Sequence, residues 1–158
     1  MKKDFFDHMI KVLAKNEDVY LLLGDLGYPR YDELKALYPS RVYNCGASEQ
    51  TMMDMAVGLA LSGKTPIVYT ITPFLLRAWE TIRTYINHEK LHVVMVGAGQ
   101  NDEYSRDDGF SHFAGDIKLH FDLLKNVKVF SPDTKSEMEF AINEGIGGKY
   151  PTFVNIHR

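Results

Sequence analysis

Short apolar runs rich in branched residues alternate with helix-patterned stretches along the whole chain, and that alternation is what most constrains the fold. Residues 19–23 (VYLLL), 42–45, 66–71, 92–96, 127–130 and 152–156 read as strands buried on both faces, because their apolar character is continuous rather than alternating. Between them, residues 4–15 place Phe6, Met9, Ile10 and Leu13 at i, i+3, i+4 and i+7, one apolar helical face. Segments 31–37, 50–61, 74–88, 113–124 and 134–145 also predict helices, the second of them ended by Ser62-Gly63. Strands joined through helices imply right-handed crossovers, hence an α/β fold: a mostly parallel sheet covered by helices on both faces. With no repeat, low-complexity tract or linker, the expectation is one domain over residues 1–158.

A content of 45% hydrophobic and 25% charged residues is that of a folded globular chain rather than a disordered one. The net charge of −3, with Lys and Arg scattered, lacks the basic stripe of a nucleic-acid binder. No apolar run is long enough to span a bilayer, so no membrane partner is expected. Asp4 and Asp7 interrupt what a signal peptide would keep apolar, and Cys45 is the single cysteine, so the chain reads as cytoplasmic.

In open parallel sheets, ligands bind beyond the carboxyl ends of the strands. Four loops fall there: 24–30, 46–49, 72–74 and 97–112. They gather carboxylates, aromatic residues and a histidine in a glycine-containing loop, yet position alone names no reaction. The chain has no G-x-G-x-x-G, P-loop, Cys/His cluster or EF-hand spacing to suggest a nucleotide or metal site.

The residues themselves carry a resemblance. Asn44-Cys-Gly-Ala-Ser-Glu-Gln50 opens a helix with Ala56, Gly58 and Ala60, similar to "G-x-[AR]-E-[QH]" in the transketolase family. Thr72-Pro-Phe-Leu-Leu-Arg-Ala78 is similar to its "F-L-x-R-A", Asp108-Gly-Phe-Ser-His112 to "D-G-P-[ST]-H", and Phe130-Ser-Pro-Asp133 to "x-[ST]-P-[AS]-D". Four motifs in order cover nearly the whole chain. It resembles the central, pyrimidine-binding domain of transketolases and 1-deoxyxylulose-5-phosphate synthases. Gly24-Asp-Leu-Gly-Tyr28 looks most like the short, split transketolase-like proteins, of which this would be the C-terminal subunit.

What the resemblance implies is specific. The cofactor would be thiamine diphosphate, with Glu49 matching the glutamate that bonds N1′ of its aminopyrimidine ring and Phe74 the aromatic residue that stacks on it. Asp25, Ile71 and Arg77 would line the same ring, Ile71 standing where relatives often carry a second aromatic. Asp108 and His112 match a pair that binds donor hydroxyls, His112 next to the reactive carbon, and Arg158 matches an arginine that grips a substrate phosphate. Plainer readings stand beside these: Glu is common in a first helical turn, Phe in a core, and Arg77 suits a surface ion pair. The loop departs from the family at Phe110 and Phe113, and with Tyr104 it is unusually aromatic, so the acceptor is expected to differ. His8, His88, His92, His120 and His157 match no motif and read as structural or surface residues.

The family's "G-D-G…N" motif for Mg²⁺ and diphosphate is missing, since Gly24-Asp25-Leu26 with Asn44 lacks the second glycine and the interval. The resemblance therefore implies a partner subunit carrying that motif and the Mg²⁺, with no metal on this chain, in an α2β2 assembly. The expected activity is transfer of a two-carbon ketol unit from a ketose, as free sugar or sugar phosphate, to an aldehyde or keto acceptor. Two alternatives remain open: a decarboxylating enzyme using a 2-oxoacid donor, and a non-catalytic regulatory subunit that keeps the fold.

Overall fold

The computed structural model describes residues 1–101, 103–104 and 108–158. Six strands, β1 (Val19–Leu23), β2 (Val42–Asn44), β3 (Thr65–Ile71), β4 (Val94–Ala98), β5 (Lys128–Phe130) and β6 (Thr152–Ile156), form an all-parallel sheet. Their order is β2-β1-β3-β4-β6-β5. Along each strand, successive side chains enter opposite cores. Leu21, Leu23, Tyr69, Val94, Val96 and Val154 pack with α1 (Lys2–Lys15), α2 (Arg30–Leu37) and α6 (Lys135–Gly148). Leu22, Val68, Met95 and Phe153 pack with α3 (Glu49–Leu61) and with Leu75, Ile82 and Phe121 on the other face. Each large side chain fully buried here contributes on the order of 1.5–3 kcal/mol.

The chain leaves β1 through α2 to reach β2 on one side, then returns through α3 to β3 on the other. Strand order thus reverses between β1 and β3, and the loops after those strands splay apart there, opening the crevice in which such sheets bind ligands. Residues 24–29 and 72–74 border it, and the start of α3 points into the same edge.

Three elements differ from the sequence expectation. The stretch expected as one α-helix over 74–88 is a 3₁₀ helix (Thr72–Ala78), a short α4 (Trp79–Thr81) and a π-helical segment (Ile82–His88). Apolar periodicity reports which side is buried and is silent on local winding. The wide last turn leaves Asn87 free to tie down the chain before β5: its side-chain oxygen accepts from Asn126 N–H, and its carbonyl from the Asn126 amide. Strand β4 extends through Gly97 and Ala98, expected as a turn, because a central strand takes its hydrogen bonds from β3 and β6 whatever its own propensity. Helix α5 (Ile117–Asp122) is shorter than 113–124, since Ala114 is used instead in a bridge to Asn101 that closes the neck of the loop.

Buried Tyr69 stacks on Phe5 at 4.5 Å, and its hydroxyl has no hydrogen-bond partner among the described residues. An unsatisfied buried hydroxyl costs free energy that its removal returns. Tyr69→Phe is therefore expected to raise the unfolding free energy by about 1 kcal/mol in urea titrations; a loss of stability would contradict this packing.

Candidate functional site

Gly46 adopts φ +67°, a conformation that favours glycine, and its N–H donates to Asn44 Oδ1 at 2.8 Å. That turn brings the chain from β2 into α3, whose first residue is Glu49. Glu49 is only 3% exposed, although its carboxylate sits at the sheet's ligand edge. A buried carboxylate needs a counter-charge, and Arg77 Nη1 provides it, donating to Glu49 Oε2 at 2.8 Å. Gln50 fastens the two elements, its amide donating to Thr81 Oγ1 and to Asp54 Oδ1.

From Arg77 a line of ring contacts crosses the sheet edge. Its guanidinium lies 4.0 Å from the Phe74 ring centre, a cation–π arrangement. Phe74 meets the His112 imidazole edge-on at 5.0 Å, and His112 lies 5.5 Å from Tyr104. The Arg158 guanidinium stands 4.5 Å from the Tyr104 ring and 3.0 Å from Asp108 Oδ2. Gly99, at φ +96°, permits this: a side chain there would strike the Tyr104 ring that lies against its backbone. Glu49, Arg77, Phe74, His112, Asp108 and Arg158, far apart in sequence, thus form one continuous contact chain through Tyr104. Ile71 ends β3 at the same edge, half-buried, and Asp25 follows β1 on the crevice rim, exposed.

Sequence reasoning missed one cluster. His157, read as structural or surface, lies between two carboxylates, with Nδ1 on Glu103 Oε1 and Nε2 3.1 Å from Asp133 Oδ1. Both ring nitrogens face acceptors, an arrangement satisfied fully only by the protonated ring. Glu103 Oε2 also accepts from the N–H groups of Gln100 and Arg158, at 2.9 and 2.8 Å. The hydrogen bonds that its ring donates to Glu103 and then to Asp133 raise the His157 pKa above its ordinary value. For Glu103, burial alone would raise the pKa, but the bonds from Gln100, His157 and Arg158 outweigh it and hold the carboxyl below its usual range. The residue types gave no signal, because 54 positions separate Glu103 from His157.

These geometries generate two predictions. Arg77→Met leaves the Glu49 carboxylate buried without its partner and is expected to cost about 1–2 kcal/mol, reduced from a fully buried pair because Arg77 is half-exposed. In a double-mutant cycle the loss shrinks in a Glu49→Gln background; additivity would show the pair to be idle. The second concerns pH. Stabilisation from Glu103 is present above its ordinary pKa of 4.5 and fades as pH falls through its depressed value. That from His157 is present below 6.5 and fades as pH rises through its raised value, so the clamp is strongest between those two pH values. The His157 ring resonances are expected to titrate above pH 6.5 and to move back towards it in Glu103→Gln.

Comparison with known proteins identifies the family. The family model described as "Transketolase, pyrimidine binding domain" matches residues 1–158. A chain of Methanocaldococcus jannaschii, provisionally named a transketolase C-terminal section, is 28% identical over 160 residues, spanning 100% of this chain and 50% of the relative. A 1-deoxy-D-xylulose-5-phosphate synthase of Corynebacterium glutamicum is 27% identical over 145 residues, 90% of this chain and 22% of the enzyme. Among solved structures, one described as "Split gene transketolase, inactive beta4 tetramer" superposes with a TM-score of 0.85 at 25% identity, covering 99% of this chain and 50% of that one. The chain therefore spans half or less of the length of these relatives.

Proposed function

The chain belongs to the transketolase pyrimidine-binding domain family, and from that premise we propose that it is one subunit of a heteromeric, thiamine diphosphate-dependent enzyme. In this reading the enzyme moves a two-carbon ketol unit from a ketose to an aldehyde or keto acceptor. The observation that carries the reading is the Glu49 carboxylate: 3% exposed, at the first residue of α3, on the ligand edge of the sheet. Burying a carboxylate there has a cost that packing does not explain, and a ring nitrogen that shares a proton with it would account for its retention.

The residues present fit an aminopyrimidine ring. Arg77 engages Glu49 Oε2, and Oε1 is left as the acceptor oxygen for a ring N–H. Phe74 offers an aromatic surface beside that carboxylate, and Asp25 and Ile71 flank the crevice from β1 and β3. Thiamine diphosphate, when bound, supplies the carbon nucleophile and electron sink that ketol transfer needs. This chain's share is to hold a proton between Glu49 and N1′, to orient the ring on Phe74, and to fix the carboxylate's direction through Arg77. On the substrate side, Asp108 accepts from donor hydroxyls, His112 exchanges a proton with the hydroxyl or carbonyl nearest the reacting carbon, and Arg158 completes the contact. Mg²⁺ and the diphosphate belong to the partner subunit, in an α2β2 assembly. The likeness to split and C-terminal-section relatives supports that division.

Likeness to the 1-deoxy-D-xylulose-5-phosphate synthase supports a second reading, a donor that loses carbon dioxide first. Donor profiling separates the two, since pyruvate would then replace the ketose. The deciding experiment titrates thiamine diphosphate with Mg²⁺ into this chain, then into its mixture with the subunit bearing the diphosphate motif. Binding is expected in the mixture and negligible with this chain by itself. In that mixture Glu49→Gln should lower turnover by about 10²-fold or more without unfolding the chain. Unchanged turnover would assign this subunit a non-catalytic role.

A further inference from the structure

Asn155 breaks the pattern of its strand. It lies in β6, between β4 and β5, where Phe153, Val154 and Ile156 pack in the two cores, and it is itself only 4% exposed. A side-chain amide buried there costs free energy unless its hydrogen-bonding groups are used. Its oxygen is used: buried Thr72 donates from Oγ1 to Asn155 Oδ1 at 2.8 Å. Gly97, the partner of Asn155 on β4, makes that reach possible, since a Cβ there would stand 2.6 Å from Thr72 Oγ1. The nitrogen is not used, for Asn155 Nδ2 has no hydrogen-bond partner among the described residues. The unpartnered side-chain atoms sealed from solvent belong, among the described residues, to Tyr69, Thr70 and Glu139, so Nδ2 is the part of Asn155 that still meets open space. That opening lies towards the ligand edge. Side chains two apart on a strand share a face, and on the inner side the space is filled by Phe153, stacked on Phe121 at 3.8 Å. Beyond Asn155 the strand ends at Ile156 and runs into His157 and Arg158, while Thr72 opens the 3₁₀ helix that carries Phe74 and Arg77. The free N–H groups therefore stand between the residues read as the cofactor side and those read as the substrate side.

We propose that Asn155 is a further substrate-binding residue, whose amide nitrogen donates to a carbonyl or hydroxyl oxygen of the ketose. The inference rests on the transketolase reading of the site and adds to it an uncharged donor that no sequence motif names. Thr72 holds the amide by its oxygen, so the nitrogen is presented in a fixed direction and little freedom is lost when a ligand oxygen meets it.

Two substitutions separate holding the fold from holding the substrate. Asn155→Asp keeps the oxygen that Thr72 bonds and removes the nitrogen donor, whereas Thr72→Val keeps the amide and removes its anchor. Melting curves check that both variants are folded. The chain is mixed with its partner subunit, thiamine diphosphate and Mg²⁺, and D-xylulose, D-fructose and their phosphate esters are offered to find the ketose it turns over fastest. Asn155→Asp is expected to raise the KM for that ketose about tenfold and to leave cofactor affinity unchanged, with a smaller rise in Thr72→Val. A second readout needs no variant. With only this chain isotope-labelled, the side-chain amide signals of Asn155 should move when the ketose is added to the mixture and stay in place when the cofactor alone is added. An unchanged KM in Asn155→Asp overturns the proposal, as do amide signals that the ketose leaves in place. So does a Thr72→Val variant whose KM rises as far as that of Asn155→Asp, because the amide would then be a strut alone. Any of these results in a mixture that turns over a ketose defeats this inference by itself; a mixture that binds the cofactor and turns over no ketose defeats the transketolase reading, and this inference with it.

Discussion

The arrangement depends on a carboxylate that the fold removes from water and then neutralises with a single half-exposed arginine. Glu49 starts α3, inside the edge where β1 and β3 diverge, and Arg77 comes from the 3₁₀ helix that follows β3. Their ion pair therefore spans the topological switch point from one side. Dehydrating a carboxylate costs several kcal/mol, and the cost is tolerable only if the partner is held in place. Phe74 holds it from the same 3₁₀ turn, and Gln50 locks α3 to the helix that continues from Arg77. Each contact along the line makes the next one possible, which is why His112 and Tyr104, on a loop after β4, stand at fixed distances from a carboxylate after β2.

Sequence was informative wherever one segment carries its own signal. Residues 19–23 and 152–156 are strands with the expected bounds, because each is a short apolar run between helical stretches and needs no tertiary information to be recognised. Glu49, Phe74, Asp108 and His112 could be named as candidates because each sits inside a short motif, and the structure sets all four on one line of contacts. The His157 cluster was illegible for the converse reason. Glu103, Asp133 and His157 belong to three different loops or strand ends, no motif names Glu103 or His157, and only the registers of β4 and of β5 against β6 bring them together. The π-helical turn was hidden as well: residues 82–88 have an apolar face compatible with ordinary α winding, and the long-range Asn87–Asn126 contacts are what the wide turn accommodates.

The comparison also separates what local chemistry contributes from what the family contributes. A buried glutamate paired with an arginine is, by itself, a structural ion pair. Its position at the carboxyl edge, with an aromatic ring beside it, turns the same pair into a candidate ring-nitrogen partner. The family assignment then supplies the ring. Arg77 belongs to both descriptions, because it neutralises the charge for the fold and orients the carboxylate for the proposed cofactor.

The two ends of the contact line differ in their electrostatics, and that difference bears on what each end can recognise. At the Glu49 end one carboxylate meets one guanidinium, and the balanced pair lies beside an aromatic ring, an environment suited to a flat heterocycle with a single hydrogen-bonding edge. At the other end, among the described residues, the Arg158 guanidinium meets Asp108 and the His157 ring meets Glu103 and Asp133, so charged groups alternate along the loop. His112 sits between them, touching Phe74 on one side and Tyr104 on the other. A group that must exchange protons with a reacting carbonyl belongs at that junction, where cofactor and substrate would meet. The order of residues along the line therefore matches the order of the proposed chemistry, from ring activation through proton exchange to substrate contact.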